Sequence, residues 1–209
     1  MKILIGLVLT LFLLFLAADY VARSQAERQA GKQLAASLEL GDEPDVELGG
    51  WPFLLKALGG ELPSASFSAD EVRSNGVSLT DVEVNVDGLQ FELGDILAGS
   101  RDAIKVSGGD GSAVLSGSEL SKVLRREGVD AKVRLTESGV RVDARRLPKA
   151  LEGDISIDAG NLVISAGGST IGTVRLPQIV DGLTYGDVTV EEEEAILSFD
   201  LGPATLSAP

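Results

Sequence analysis

Two arginine pairs, Arg125-Arg126 and Arg145-Arg146, are the side chains in this 209-residue chain best suited by type and spacing to chemistry with a partner. A guanidinium offers a phosphate two parallel N–H donors, so paired arginines on one surface can hold an anionic headgroup or meet a membrane. Both pairs lie in the window 122–149, which collects nine of the 18 basic residues against four acids. The window carries +5 and the remainder of the chain −19. The plainer reading of such a window is a solvated face laced with salt bridges. The acidic run 191–194 invites a calcium reading, but it lacks the spaced oxygen ligands and the glycine of a dedicated loop, so a solvated turn is expected. Asp110, between Gly109 and Gly111, reads as a plain loop, because these glycines do not match a strand-to-helix phosphate fingerprint.

The missing chemistry bounds function further. The chain has no Cys and no His, which removes disulfides, zinc-thiolate and histidine metal sites, cysteine nucleophiles and every His-dependent triad. No carboxylate pair stands in a context that marks it as an acid and base. The expectation is a protein that is not an enzyme, with no catalytic residues, cofactor or metal. A net charge of −14 offers no general phosphate-binding surface, so nucleic acid is not expected as a partner.

The elements that must position any binding surface centre on residues 44–72, PDVELGGWPFLLKALGGELPSASFSADEV, which hold the only Trp. Val46 and Leu48 alternate with Asp45 and Glu47 as a short strand. Gly49-Gly50 breaks it, and Trp51-Pro52 opens an apolar run that Gly59-Gly60 ends. Proline suits the first turn of a helix and glycine its C-terminal cap, so a helix of about two turns is expected between glycine hinges. Ala65, Phe67 and Ala69 then alternate with serines as a strand with one apolar face. The short helix is either a plug on one end of a sheet core or, with Trp51, Phe53, Leu54, Leu55 and Leu58, the mouth of a lipid-holding groove that Phe67, Val82 and Val84 continue.

At the N-terminus, Lys2 precedes an uncharged apolar run over residues 3–18, followed by Asp19. At about 1.5 Å per residue it spans roughly 24 Å, short of the roughly 30 Å of a hydrocarbon core. Residues 1–22 therefore read as a signal peptide or signal anchor, with Asp19 at the outer interface if the run is an anchor. Residues 23–209 read as one exported domain on or beyond the outer face of the cytoplasmic membrane, in the periplasm. Ala22, Ala26, Ala30, Leu34 and Leu38 recur every four residues, which suits a stalk helix or one lying closely on a sheet.

Period-two alternation dominates the rest. Thr80, Val82, Val84 and Val86 form one such set, and Ala195, Leu197, Phe199 and Leu201 another. Turns are expected at 74–76, 137–139, 159–161 and 191–194. Short helices are expected over 93–98 and over 118–127, the second with Ser118 as N-cap and Leu120, Val123 and Leu124 buried. The fold class is α+β, a curved antiparallel meander packed on an N-terminal helix and short helices.

The segment Pro44-x-Val46-x-Leu48-x-Gly50-Trp51-Pro52-Phe53-Leu54, with Ala57-Leu58-x-Gly60, Ala69-x-x-Val72 and Leu79-x-Asp81-Val82-x-Val84, resembles the actinobacterial LmeA-like phospholipid-binding proteins. The likeness continues through Gly111-x-Ala113-x-Leu115-Ser116-x-Ser118-x-Leu120, Gly160-x-Leu162-Val163 and Leu176-Pro177, covering most of residues 19–207. Trp51 stands where Phe is more usual in that family. The resemblance implies a periplasmic, tubular-type module that binds phospholipid, of the phosphatidylinositol type, in envelope lipid or glycolipid transport or maturation. Physics says what such a guest needs: exposing an acyl chain costs about 0.8 kcal/mol per CH₂, so about 16 carbons require shielding on the order of 12 kcal/mol. The rival readings are an envelope scaffold with a closed core and, more remotely, a carboxylate-dependent hydrolase.

Overall fold

The computed structural model describes residues 2–74, 76–92, 94, 104–136, 139–144, 150–177, 182–191 and 193–206, with side chains from residue 12 onward except at 74, 144 and 206. Helix α1 (Lys2–Ser37) continues without a break past the apolar run and leads to β1 (Asp45–Leu48), α2 (Phe53–Leu58), β2 (Glu61–Ser74) and β3 (Val77–Phe91). Next come β4 (Ile104–Val106), β5 (Gly108–Ser116) and α3 (Gly117–Arg126). A run of strands completes the chain: β6 (Ala131–Thr136), β7 (Gly139–Ala144), β8 (Leu151–Asp158), β9 (Asn161–Ala166), β10 (Ser169–Arg175), β11 (Leu183–Glu191), β12 (Glu194–Leu201) and β13 (Ala204–Leu206).

These strands make two antiparallel sheets, and the fold is α+β as expected. The larger has the order β1-β2-β3-β5-β12-β11, with β4 joining β3 to β13, and is strongly curled as a half-barrel. The smaller has the order β10-β9-β8-β7-β6. Leu79, Leu115, Leu120, Leu124, Leu135, Leu162, Ile164 and Leu197 are fully buried in one cluster between the two sheets and α3. The four expected turns all join paired strands, β2 to β3, β6 to β7, β8 to β9 and β11 to β12. At Ala159-Gly160 both residues take positive φ, the geometry that matches the twist of a two-residue hairpin.

Three expectations are corrected. Asp81, at φ 46, is an inserted residue in β3: Val77 and Leu79 are buried before it and Val82 after it. The insertion shifts the alternation by one, so Leu79 rather than Thr80 shares the buried face with Val82. Residues Gly109, Asp110 and Gly111 are part of strand β5, not a loop. A Cβ on Gly109 would stand 2.2 Å from the Asn85 carbonyl oxygen, and one on Gly111 2.3 Å from the Phe199 ring. Glycine is thus required by the close approach of neighbouring strands. Helix α3 is capped by Ser116, two residues before the expected serine, and its side chain accepts from the Glu119 N–H at 3.2 Å. The buried stripe Leu120, Val123, Leu124 is as expected. The helix expected over 93–98 lies outside the described residues.

Helix α1 lies along β1, with Ala22, Ala26, Ala30, Leu34 and Leu38 half-buried. Gly31 is buried where a Cβ would stand 2.9 Å from the Pro44 carbonyl oxygen. The stripe packs against the edge strand β1, on a helix that also runs unbroken from the apolar segment.

Candidate functional site

The half-barrel's inner face is built of cross-strand rows whose cover changes along the strands. Near the β2–β3 turn, Val72 lies opposite Leu79, and Leu115 opposite Ala195; all four are buried. The next row, with Ala69 opposite Val82 and Ala113 opposite Leu197, is also buried. Toward α2 the cover thins. One row runs Val46, Phe67, Val84, Gly111, Phe199, Tyr185, and the next Leu48, Ala65, Val86, Gly109, Leu201, Leu183. In both, the β1, β2, β3 and β5 members are half-buried although apolar, so the described residues only partly roof them. Phe199, Tyr185 and Leu201 are buried at the far end.

The half-covered part of these two rows forms a shallow apolar trough crossing four strands, β1, β2, β3 and β5. Three inter-strand spacings of about 4.8 Å make it roughly 14 Å long. One leaflet of a bilayer, half of a roughly 30 Å hydrocarbon core, is about 15 Å deep, so the trough matches the span of an acyl chain within one leaflet. The glycines at the β5 position of both rows allow the sheet to curl there. The far wall is rigid: Tyr185 and Phe199 meet edge to face with centroids 5.8 Å apart, and the Tyr185 hydroxyl donates to the Pro177 carbonyl at 2.7 Å. Burial pushes the Tyr185 hydroxyl pKa up to about 12.

Helix α2 stands beside the partly covered end, four residues separating it from Leu48. Pro52, extended at φ −69 and ψ 133, is its N-cap and not part of its first turn; it follows a cis Trp51-Pro52 bond. The first two N–H groups of the helix are satisfied from α1. Asp19 is buried, its Oδ2 accepting from Phe53 N–H at 3.1 Å and its Oδ1 from Leu54 N–H at 2.7 Å. A second tie lies two turns along α1, where Glu27 Oε1 accepts from the Leu48 N–H at 3.0 Å and from Arg23 Nε at 2.8 Å. Gly60, at φ 76, carries the chain out of the helix.

The sequence-predicted residues divide accordingly. Phe67, Val82 and Val84 share the inner face: Phe67 lies opposite Val84, and the buried Val82 belongs to the closed row beside them. Phe53 is buried, Leu54 half-buried, and Trp51, Leu55 and Leu58 face solvent at 68%, 60% and 68% exposure. The mouth residues therefore split between an inward and an outward side of one short helix. Arg125 and Arg126 are exposed on the last turn of α3, Arg125 Nε donating to the Ser121 carbonyl at 3.1 Å and Arg126 to the Gly76 carbonyl. Arg145 and Arg146 lie outside the described residues.

Arg126 lines a polar cleft of about 380 Å³ at the β2–β3 turn, with Lys122, Arg73, Ser116 and Ser118. Its cations are engaged: Lys122 Nζ pairs with Glu119 at 2.8 Å and Arg73 Nη2 with Glu71 at 2.7 Å. The Ser78 hydroxyl and the Arg73 guanidinium, both donating to Glu71, hold its carboxyl below the ordinary range. At about 3.3 Å per residue, β2 runs roughly 33–40 Å from Glu61, just after α2, to Glu71 and Arg73 at this cleft, and roughly 20–25 Å from the trough rows at Ala65 and Phe67 to Arg73. The arginines and the trough thus occupy separate stretches of the strands. A second polar cleft, about 550 Å³, lies between Glu27 and the outer face of β1–β3 and is lined by Asp45, Glu47 and Glu83.

Sequence reasoning missed Asp19, read there as the end of the apolar run, and the trough members Ala65, Val86, Gly109 and Gly111. The alternation already marked the first pair as apolar-faced; the glycines gave no signal without the register. No match is found among curated proteins or solved structures. The family described as LmeA-like phospholipid-binding matches residues 17–200, a span that includes Asp19, α2 and every strand of the trough. On that match the chain belongs to the LmeA-like phospholipid-binding family.

Proposed function

We propose that this protein acts outside the cytoplasmic membrane as a phospholipid-binding protein that lays an acyl chain across the half-roofed rows of its larger sheet, in envelope lipid or glycolipid transport or maturation. The observation that carries this reading is the change in cover along one apolar face: Val72, Leu79 and Leu115 are closed off, while Leu48, Ala65, Val86, Phe67 and Val84 are not. Apolar surface left half in water is costly at about 25 cal/mol per Å², and a guest chain removes that cost together with its own. Residues 1–22 act as signal peptide or anchor, and the membrane is the source of the guest.

The headgroup lies beyond the trough, outside the apolar rows. Phosphatidylinositol-type lipids are the first class to assay. Lipid extraction and mass spectrometry of the purified protein should find phospholipid near one per chain. Ala65→Trp, which fills the trough from a half-exposed position, should reduce that occupancy more than about tenfold without loss of folding. Undiminished lipid in the folded variant, or a wild-type protein free of lipid that takes up no fluorescent phospholipid, refutes the trough.

A further inference from the structure

Among the described residues, the large hydrophobic side chains left exposed fall on only two elements. Phe12, Leu13, Leu14, Tyr20 and Val21 are on α1, and Trp51, Leu55 and Leu58 are on or just before α2. Sheets, turns and α3 contribute none. An apolar surface so confined marks a contact with something apolar. The two groups are held together, because Asp19 of α1 accepts both leading N–H groups of α2. Tyr20 and Val21 follow Asp19 directly, so the exposed side of α2 sits at the height on α1 where the apolar run 3–18 ends.

We propose that α2 is an interfacial docking element, inserted edge-on into the outer leaflet of a phospholipid bilayer with Trp51, Leu55 and Leu58 in the acyl region. The reason for choosing a bilayer over a protein partner is continuity. Residues 3–18 and α2 share one helix as their frame, and that helix is unbroken from Lys2 to Ser37. Among the described residues no helix is long and apolar enough to cross a membrane. With the run 3–18 in the hydrocarbon, Asp19 comes to the boundary and α2 comes with it. Trp and Tyr are the residue types enriched at that depth, with an apolar ring and a polar N–H or O–H. Lys56, on the same short helix, can keep its ammonium among headgroups while its stem stays in the apolar zone. General charge attraction cannot supply the binding in a chain of net charge −14, so the contact must be apolar and insensitive to salt. The placement also sets the half-covered trough rows, which begin at Leu48, beside the leaflet. The inference rests on the reading above in taking phospholipid as the partner and residues 3–18 as a retained anchor rather than a cleaved signal.

Trp51 is the only tryptophan, so it reports directly on this contact. The full chain is placed in phosphatidylcholine vesicles whose acyl chains are brominated at shallow or deep positions. The expected result is a blue-shifted emission quenched more by shallow than by deep bromines and unchanged in 0.5 M salt. Leu55→Ser with Leu58→Ser, at exposed positions that do not hold the fold, should reduce the quenched fraction by more than about tenfold while the chain stays vesicle-bound. Ala65→Phe, which fills the trough, should leave the quenching intact. Emission at the aqueous wavelength in vesicles overturns the proposal. So does a concentration-dependent blue shift without vesicles, which would make the surface a contact between copies. Loss of quenching in Ala65→Phe would mean that Trp51 reads lipid held in the trough, overturning docking while leaving the trough reading standing.

Discussion

Removing the Asp19 carboxylate should loosen α2 without unfolding the sheets. The six-residue helix has few means of its own to stay folded, being far below the length at which isolated helices persist. Two contributions hold it in place. Burial of Phe53, which is 6% exposed, supplies roughly 2 kcal/mol. The Asp19 carboxylate accepts two backbone N–H bonds at 3.1 and 2.7 Å and acts as a cap borrowed from another helix. Caps contribute about 0.5–2 kcal/mol, and bonds to a charged acceptor lie at or above the upper end of that range. A loss of about 2 kcal/mol is therefore expected for Asp19→Ala, and a smaller one for Asp19→Asn, whose amide oxygen still accepts.

Because α2 contributes little to the main core, this loss is local. Opening of α2 alone should rise by about 30-fold, the factor equivalent to about 2 kcal/mol. Native-state hydrogen exchange reads it at Lys56 N–H, bonded to the Pro52 carbonyl, and Gly59 N–H, bonded to the Leu55 carbonyl. Both should lose about 30-fold protection, while the amides pairing β5 with β12 keep theirs. Unchanged exchange at Lys56 and Gly59 would refute the latch. An equal acceleration in β5 and β12 would mean that Asp19 supports the whole domain.

Other perturbations test the rest of the architecture. Tyr185 has its pKa raised from 10 to about 12 by burial, so its contribution is complete below pH 10 and is lost as pH rises toward 12. Denaturant titrations should show stability falling across that window in the wild type and a flatter limb in Tyr185→Phe, offset by about 1 kcal/mol for the hydroxyl bond to Pro177. Gly109→Ala and Gly111→Ala should each destabilise by about 1–3 kcal/mol, because a Cβ at 109 stands 2.2 Å from the Asn85 carbonyl oxygen and one at 111 stands 2.5 Å from the Glu83 carbonyl oxygen as well as against the Phe199 ring; thermal melts measure both losses. Reversing the charge of Arg125 and Arg126, which lie away from α2 and the trough, should leave binding to anionic and zwitterionic vesicles unchanged in co-sedimentation; a selective loss on anionic vesicles would show that these arginines meet headgroups.

Features governed by neighbours in the chain were legible before any coordinates. The turns at 74–76 and 159–161, the Gly49-Gly50 and Gly59-Gly60 bounds of α2 and the buried stripe of α3 each depend on fewer than about ten consecutive residues. Features governed by the register were not. Whether Thr80 or Leu79 faces the core depends on Asp81 taking φ 46, an insertion that alternation counting cannot see. Gly109 and Gly111 resemble loop glycines until β3 and β12 are known to flank them. Asp19 is 34 residues from Phe53, and a lone acid after an apolar run also fits the end of an anchor, so its capping role appears only once α1 and α2 are seen side by side. The family resemblance was legible because its residues fall on the turns and apolar positions that fix the fold.

The structure also changes the direction in which a guest should lie. Alternating strands suggest a groove running along their length, but the rows near the β2–β3 turn are filled by Val72, Leu79, Leu115 and the α3 side chains behind them. Among the described residues of β1, β2, β3 and β5, the half-covered inner-face positions form two rows that cross the strands, toward the end where α2 stands. A tail placed there touches β1, β2, β3 and β5 and never reaches α3, so its headgroup stays roughly 20–25 Å along β2 from the cleft that Arg126 lines. Photo-crosslinking with a lipid labelled mid-chain should therefore mark residues such as Ala65 and Val86. Labels on Leu120 or Val123 instead would mean that the sheets part to admit the lipid along the strands, and the crosswise trough would be wrong.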